Sequence, residues 1–276
     1  MKKLLLLLSI MLPMVAATTF TSCGDDDDNN DIVDPIVDNN DNKITYDGIV
    51  VTIDANGNAD GGHRFIKIDD TNFFIDEIKY TVQDGDLVVS GYYKYDNKFK
   101  GEAEFITQLI YNGKKMNVVA IKNDAFLNCN VITSAIIPPS VKKIGYYAFQ
   151  NCPALTSVTI PENVTTIEAW AFRGCTALKT VTIPNSVTEI GGEAFDHCSS
   201  LLSVRIGSGV KKIGYDAFDY CNNLVAIFIK AETPPTIGSD TFSNRRHAYL
   251  YIPKGSKIQY ETAKYWEDFM EIVEWI

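Results

Sequence analysis

A β-dominated repeat solenoid of α/β type, with a small antiparallel β cap before it and a helical cap after it, is the fold this sequence predicts. Three observations predict it. Cysteine recurs at 129, 152, 175, 198 and 221, a period of 23 residues without drift, and Phe126, Phe149, Phe172, Phe195 and Phe218 keep the same period. Within each period a stretch such as Val158-Thr159-Ile160 alternates apolar and polar residues, as a strand with one buried face does. The periodicity fades at both ends, where the terminal units of a stacked array have a neighbour on one side only.

The chain begins with the basic tip Met1-Lys2-Lys3 and an apolar run from Leu4 to Ala17, interrupted by Ser9 and Pro13. This reads as a secretory signal peptide over residues 1–22, since the run is shorter than the roughly 20 residues a spanning helix needs. Two cleavage positions compete. Val15 and Ala17 are small enough for cleavage after Ala17, whereas Phe20-Thr21-Ser22-Cys23 resembles the lipobox of bacterial lipoproteins, with Phe20 where Leu is usual. Cleavage before Cys23 is favoured, because Cys23 is the only cysteine outside the periodic series and a solvated stretch comes directly after it. A lipidated Cys23 would carry two or more acyl chains, enough for stable membrane attachment.

Residues 23–42 are read as an acidic, disordered tether: Asp25 to Asp28 form a run, four further Asp lie beyond it, and Lys and Arg are absent. The net charge of −10 includes Lys2 and Lys3; without the signal peptide it is −12, and without the tether's eight Asp it is −4. A nearly balanced folded part argues against a basic nucleic-acid footprint. Acidic tracts directly after a lipidated cysteine resemble the surface-export signals of some Gram-negative lipoproteins, which implies an outer-membrane protein exposed on the cell surface, with the periplasmic face as the alternative.

Residues 43–115 lack the period. Gly48-Ile49-Val50-Val51-Thr52-Ile53, Asp86-Leu87-Val88-Val89 and Leu109-Ile110-Tyr111 read as strands and Asn112-Gly113 as a tight turn, together a β-rich cap that is not wholly independent of the periodic region beside it.

Residues 116–253 form the solenoid. In one unit the apolar positions are Leu155, Val158, Ile160, Val164, Ile167, Ala171, Phe172 and Cys175, and residues of similar size recur in the other units. Pro138, Pro161 and Pro184 stand directly after the alternating stretch; lacking an N–H, proline cannot extend the ladder and turns the chain. Each unit is then one coil, and stacking aligns successive strands at about 4.8 Å into a parallel sheet. After Ile229 the unit gains a residue near Pro234-Pro235 and loses one after Phe242, so Leu250-Tyr251-Ile252-Pro253 returns to register. Over 254–276 the Ser256/Gln259 pair reads as a capping box, opening a cap helix through Ala263, Trp266 and Phe269.

The pattern Cys-x-x-Leu-x-x-Val-x-Ile-Pro-x-x-Val-x-x-Ile-Gly-x-x-Ala-Phe resembles the BspA-type leucine-rich repeat of bacterial surface proteins, over about residues 118 to 253. The resemblance implies a short curved solenoid and a surface lipoprotein of attachment or recognition. The implied partner is an extracellular protein, some family members binding host matrix proteins; the membrane is reached only through the lipid anchor, and no cofactor is implied.

Few residues point to chemistry. Asp196-His197-Cys198 holds the side chains of a triad, but adjacent residues cannot converge on one substrate, and Cys198 belongs to the periodic column. The cysteines lie in a line one coil apart, unlike the clustered pairs of a zinc site; buried reduced thiols are the expected state, with disulfides between neighbouring coils geometrically conceivable. Asn56-Gly57-Asn58-Ala59-Asp60-Gly61 matches the first half of a calcium loop, but its twelfth position is Lys67 rather than Glu, so a hairpin loop is expected. No catalytic or metal site is therefore assigned, and binding is the expected function.

Two surfaces are candidates. If Val158 and Ile160 point inward, Ser157 and Thr159 point outward, and the period extends them into two columns: Ser134, Ser157, Thr180, Ser203, Ala226 and Ile136, Thr159, Thr182, Arg205, Phe228. Arg205 and Phe228 depart from the small residues around them and are the types that anchor interfaces, so a partner is expected around Arg205, Phe228, Thr182 and Thr159, with both large side chains facing solvent. The alternative is glycan capture on an aromatic edge formed by Tyr146, Tyr147, Trp170 and Tyr215, residues that packing over the coil edge would also explain.

Overall fold

Alternating stretches of the sequence become ladders in the computed structural model, which describes residues 36–38, 43–45, 49–54, 59–92 and 101–275. The signal peptide, Cys23 and most of the tether lie outside the described residues. Strands β1 (Ile36–Asp38) and β2 (Lys43–Thr45) form an antiparallel pair of their own. After them come β3 (Ile49–Ile53), β4 (Phe65–Lys67), β5 (Asn72–Ile75), β6 (Ile78–Gln83), β7 (Asp86–Tyr92), β8 (Glu102–Glu104), β9 (Ile106–Tyr111) and β10 (Lys114–Ile121). Strands β4 to β7 run antiparallel in sequence order. Asn112 and Gly113 both take positive φ, 52° and 70°, and close the β9–β10 hairpin as the Asn-Gly pair predicts.

The expected antiparallel cap is in fact mixed, because β3 pairs with β9 and β7 with β10 in parallel. The difference has a physical consequence: parallel strands can hand their free edges to the parallel coils of the repeat. Ala120 and Ile121 of β10 pair with Lys143 and Ile144, and β8 pairs with residues 134–136. The N-terminal region thus supplies the first strand of both solenoid ladders, and β10 straddles the point where the period begins.

Each coil then contributes two strands. These are β11 (Ser134–Ile136) and β12 (Lys143–Ile144), β13 (Ser157–Thr159) and β14 (Thr166–Ile167), β15 (Thr180–Ile183) and β16 (Glu189–Ile190), β17 (Ser203–Ile206) and β18 (Lys212–Ile213). The first strand of each pair builds one face of the solenoid, as two parallel ladders, β8-β11-β13 and a second starting at β15; Val158, half-buried, lies where the first stops. The short strands stack without interruption from β10 through β18. Gly191 and Gly214 permit this spacing, since a Cβ at either would run into the backbone of the preceding coil.

The third side is a turn edge with its own inter-coil bonds. Tyr147, Trp170 and Glu193 take left-handed φ of 58°, 60° and 55°, and their N–H groups donate to Ala169, Gly192 and Tyr215 one coil on. The strain of a left-handed non-glycine residue is roughly 1 kcal/mol, and an inter-coil hydrogen bond is of similar size.

Between the three sides runs the core. Phe126, Phe149, Phe172, Phe195, Phe218 and Phe242 stack with ring centroids 5.1, 5.2, 5.2, 5.2 and 5.0 Å apart and nearly parallel planes. Beside them the five periodic cysteines are buried and free. Four thiols also donate to phenylalanine carbonyls: Cys152 to Phe126, Cys175 to Phe149, Cys198 to Phe172 and Cys221 to Phe195, at 3.2, 3.2, 3.3 and 3.2 Å. The column is therefore a set of weak donors as well as apolar filler.

Beyond the repeat, β19 (Ala226–Ile229), β20 (Tyr249–Pro253) and β21 (Glu271–Trp275) extend the face begun by β15 and β17. The compensating insertion and deletion are visible: Lys212 bridges Thr236, a shift of one residue, yet Ile227 and Leu250 pair in register. The cap helix is a correction. Among the described residues from 254 onward only α1 (Lys257–Glu261) is helical, and Tyr265, at φ 70°, stands in the turns beyond it. A longer helix would have left the outer edge of β20 without partners, whereas β21 pairs with all five of its residues. Trp266 and Phe269 still close the core as expected, packing on Phe242 at 5.8 and 5.6 Å, and Trp266 Nε1 donates to the Pro235 carbonyl at 2.8 Å. Nor does the capping box form: the Ser256 hydroxyl donates to the Pro253 carbonyl, and Glu274 Oε1 accepts from the Gly255 and Lys257 N–H groups at 2.9 and 3.1 Å. No helix among the described residues is long and apolar enough to cross a membrane.

Candidate functional site

Strand alternation carries the outward columns onto the face built by β11, β13, β15, β17, β19 and β20. Ser134, Ser157 and Thr159 pair coil to coil as expected, and Thr180, Ser203, Ala226 and Tyr249 continue one column while Thr182, Arg205, Phe228, Tyr251 and Val273 continue the other. Thr180 and Thr182 are exposed, so the middle of the face is flat and hydroxylated.

Toward the C-terminal end the face changes character. The Arg205 guanidinium carbon sits 4.5 Å from the Phe228 ring centroid; Phe228 stacks on Tyr251 at 4.5 Å and 11°, and Trp275 lies 5.9 Å away. Phe228 is only 3% exposed, covered by these neighbours, which corrects the expectation that it faces solvent. Arg205 is half-buried, and burial presses its pKa downward. The structure thus brings Arg205 and Phe228 into direct contact and adds Tyr249, Tyr251 and Trp275, which sequence reasoning missed. Tyr251 was findable: once Ile252 is placed in register with Ile229, Tyr251 falls in the column of Phe228. Trp275 was not, because residues 271–275 read as helix.

The aromatic edge does not form one platform. Tyr147 and Trp170 stack at 5.0 Å, with planes within 10°. Tyr146 lies one position earlier in its coil, exposed, with the Lys143 ammonium 5.9 Å from its ring centroid. Tyr215 shares Tyr146's place three coils on, its ring lying against Gly192, so it is separated from the Tyr147–Trp170 stack. A second exposed pair went unpredicted: His197 and Tyr220 stack at 4.4 Å, both left-handed, in the places where earlier coils carry Asn128, Asn151 and Gly174. That column of residues prone to left-handed φ was the signal that could have located them.

The remaining chemical candidates are accounted for locally. Asp196 is buried and accepts from Arg173 Nε and His197 Nδ1 at 2.8 and 2.7 Å, while Cys198 is buried, its thiol pushed upward in pKa and donating to Phe172. These three do not converge. Of the string Asn56–Gly61, residues 56–58 lie outside the described residues; Asp60 accepts from the Thr52 N–H at 2.7 Å and Ala59 bridges Ile53, as a hairpin loop requires. Among the described residues no group of three or more His, Cys, Asp or Glu side chains is placed to hold a metal ion.

Residues 119–248 match the profile of the BspA type leucine rich repeat region in six copies. No curated protein matches the chain. Among solved structures, the leucine-rich repeat protein of T. pallidum is 23% identical, with a TM-score of 0.52, over 71% of this chain and 78% of that one. A leucine-rich repeat protein from Bacteroides ovatus is 22% identical over 74% and 76% of the two chains, with a TM-score of 0.39. The pneumococcal vaccine antigen PcpA is 20% identical over 71% of this chain and 48% of its own, with a TM-score of 0.49. The T. pallidum structure shares the solenoid fold.

Proposed function

Because this chain carries a BspA-type leucine-rich repeat region over residues 119–248, we propose that it is a cell-surface lipoprotein whose solenoid binds another protein through the sheet face. The observation that carries the reading is the contrast along that face, from the exposed Thr180 and Thr182 to the Arg205–Phe228–Tyr251 stack. At that end Arg205 is held, half-buried, on the covered Phe228 and Tyr251 rings, and arginine is a residue type in which binding energy concentrates, while Ser and Thr contribute fit. Attachment through Cys23 and a position on the outer face of the outer membrane complete the reading; the leader pattern and the acidic tether support them. The expected partners are extracellular proteins, matrix proteins among them.

A glycan reading is the alternative, favoured by one observation, the Tyr147–Trp170 stack with the exposed Tyr146 beside it. Ring faces of this kind take the apolar face of a sugar. The two readings separate when the protein is tested against a panel of purified extracellular-matrix proteins and a glycan array. Protein binding lost on Arg205→Glu or Thr182→Arg, but kept on Trp170→Ala, supports the sheet face. Glycan binding lost on Trp170→Ala, and untouched by Arg205→Glu, replaces it with the edge.

A further inference from the structure

Arg205 differs from the arginines on the turn side of the solenoid. Arg173 is paired with Asp196 at 2.8 Å and Arg245 with Asp268 at 3.1 Å. No carboxylate lies within ion-pair distance of Arg205 among the described residues. On strands β13, β15, β17, β19 and β20 it is also the only charged residue in the outward columns, among Ser157, Thr159, Thr180, Thr182, Ser203, Ala226, Phe228, Tyr249 and Tyr251. The guanidinium is therefore stripped of part of its water without receiving a counter-charge, while the Phe228 ring beneath it, itself fixed against Tyr251, holds the group in place.

We propose that Arg205 is a carboxylate-receiving site, and that the partner at this face is a protein segment presenting an Asp or Glu side chain flanked by apolar residues. The inference rests on the sheet-face reading and adds the chemistry of its partner. A stacked guanidinium keeps its N–H edge free, and that planar fork matches a carboxylate with two parallel bonds. Because Arg205 has already lost water in the free protein, a carboxylate arriving there regains charge pairing at a smaller desolvation cost than at an exposed lysine. The apolar flanks of the segment would lie on the half-buried Tyr249 and Trp275 and on the methyl groups of the exposed Thr180 and Thr182. A single carboxylate fits and a dense polyanion does not, since Glu271 lies in the column of Ser203 and Tyr249 on the same face. This favours a protein segment over a sulfated glycan.

The test uses the full chain and defined probes. The peptide acetyl-Thr-Phe-Glu-Phe-Thr-amide, its Gln and Lys analogues, and heparin are titrated while the Arg205 Nε–Hε resonance is followed by NMR. The Glu peptide is expected to bind at least about 10-fold more tightly than the Gln peptide, with the preference falling as salt is raised. It should vanish in Arg205→Gln and weaken in Arg205→Lys, which keeps the charge but loses the fork. Equal behaviour of the Glu and Gln peptides, including no binding of either, overturns the proposal, as does a preference that survives Arg205→Gln. Heparin binding above the Glu peptide overturns it in favour of a polyanion. Arg205→Gln must melt with the parent chain, and Arg205→Lys gives a second reading if it does not. Failure here, with matrix-protein binding still lost on Thr182→Arg, removes the carboxylate chemistry and leaves the sheet face standing; binding unaffected by Thr182→Arg removes both.

Discussion

Cys175 is buried between two coils, its thiol pushed upward in pKa by burial and its S–H on the Phe149 carbonyl at 3.2 Å. Replacing it with Ala opens a small cavity and should cost about 1–2 kcal/mol, while Cys175→Asp buries a charge and should cost far more; urea denaturation measures both. Phe228 behaves as a covered residue despite its outward position, so Phe228→Ala should cost on the order of 2–4 kcal/mol, not leave the melting temperature unchanged. Arg205 is thus the cleaner residue for probing binding. Asp216 gives a pH prediction. Burial first, then the carboxylates of Asp219, Asp240, Glu193 and Asp196, raise its pKa above the ordinary value. A carboxyl raised in the folded state destabilises once ionised, so its penalty is present at neutral pH and disappears as pH falls through the raised value. Asp216→Asn, which tolerates the left-handed φ of 51°, should raise the melting temperature at pH 7 and leave it unchanged near pH 3.

At the scale of the element, the strands were legible wherever alternation was strict and a turn residue bounded it. Val181 and Ile183 face inward from β15, and Asn112-Gly113 closes the β9–β10 hairpin, as their sequence requires. The C-terminal cap was not legible, because Tyr260, Ala263, Trp266 and Phe269 recur at a spacing of three that suits a helix and a chain of tight turns equally. The open edge of β20 decided between them, and that edge exists only after stacking. Trp266 carries the closure, with its ring on Phe242 and its N–H on Pro235. Trp266→Ala should therefore cost about 3–5 kcal/mol. Hydrogen exchange should show the loss of protection beginning at β20 and β21 and spreading toward β17, because each coil is held only by its neighbours. Uniform loss across all coils would contradict that nearest-neighbour account.

For the whole molecule, the proposed anchor predicts a change of location without a change of stability. Cys23→Ala should move the protein from the membrane fraction to the soluble fraction with an unchanged melting temperature, measured by fractionation and calorimetry. Retention of the variant in membranes, or a mature chain beginning at Thr18, would replace the lipid anchor with an ordinary cleaved leader. The N-terminal strands are not separable from the solenoid: β8 and β10 pair directly with β11 and β12, so removing residues 101–121 would bare both ladders at once.

The 23-residue period by itself determined the coil, its inward and outward columns, and the stacks of Phe and Cys that fill it, because identical units placed side by side must superpose equivalent residues. The same logic named Arg205 and Phe228 as neighbours one coil apart. Only the tertiary structure decided that Phe228 is covered, that Arg205 stands over it without a carboxylate, and that Tyr147 pairs with Trp170 while Tyr215 lies apart against Gly192. It also decided that Glu274, on a strand the sequence disguises as helix, receives the N–H groups opening α1. The physical reason is common to all four. A repeat specifies which positions meet, but the exposure of a side chain and its partners depend on the particular residues in the adjacent coils and on how the end of the stack is closed.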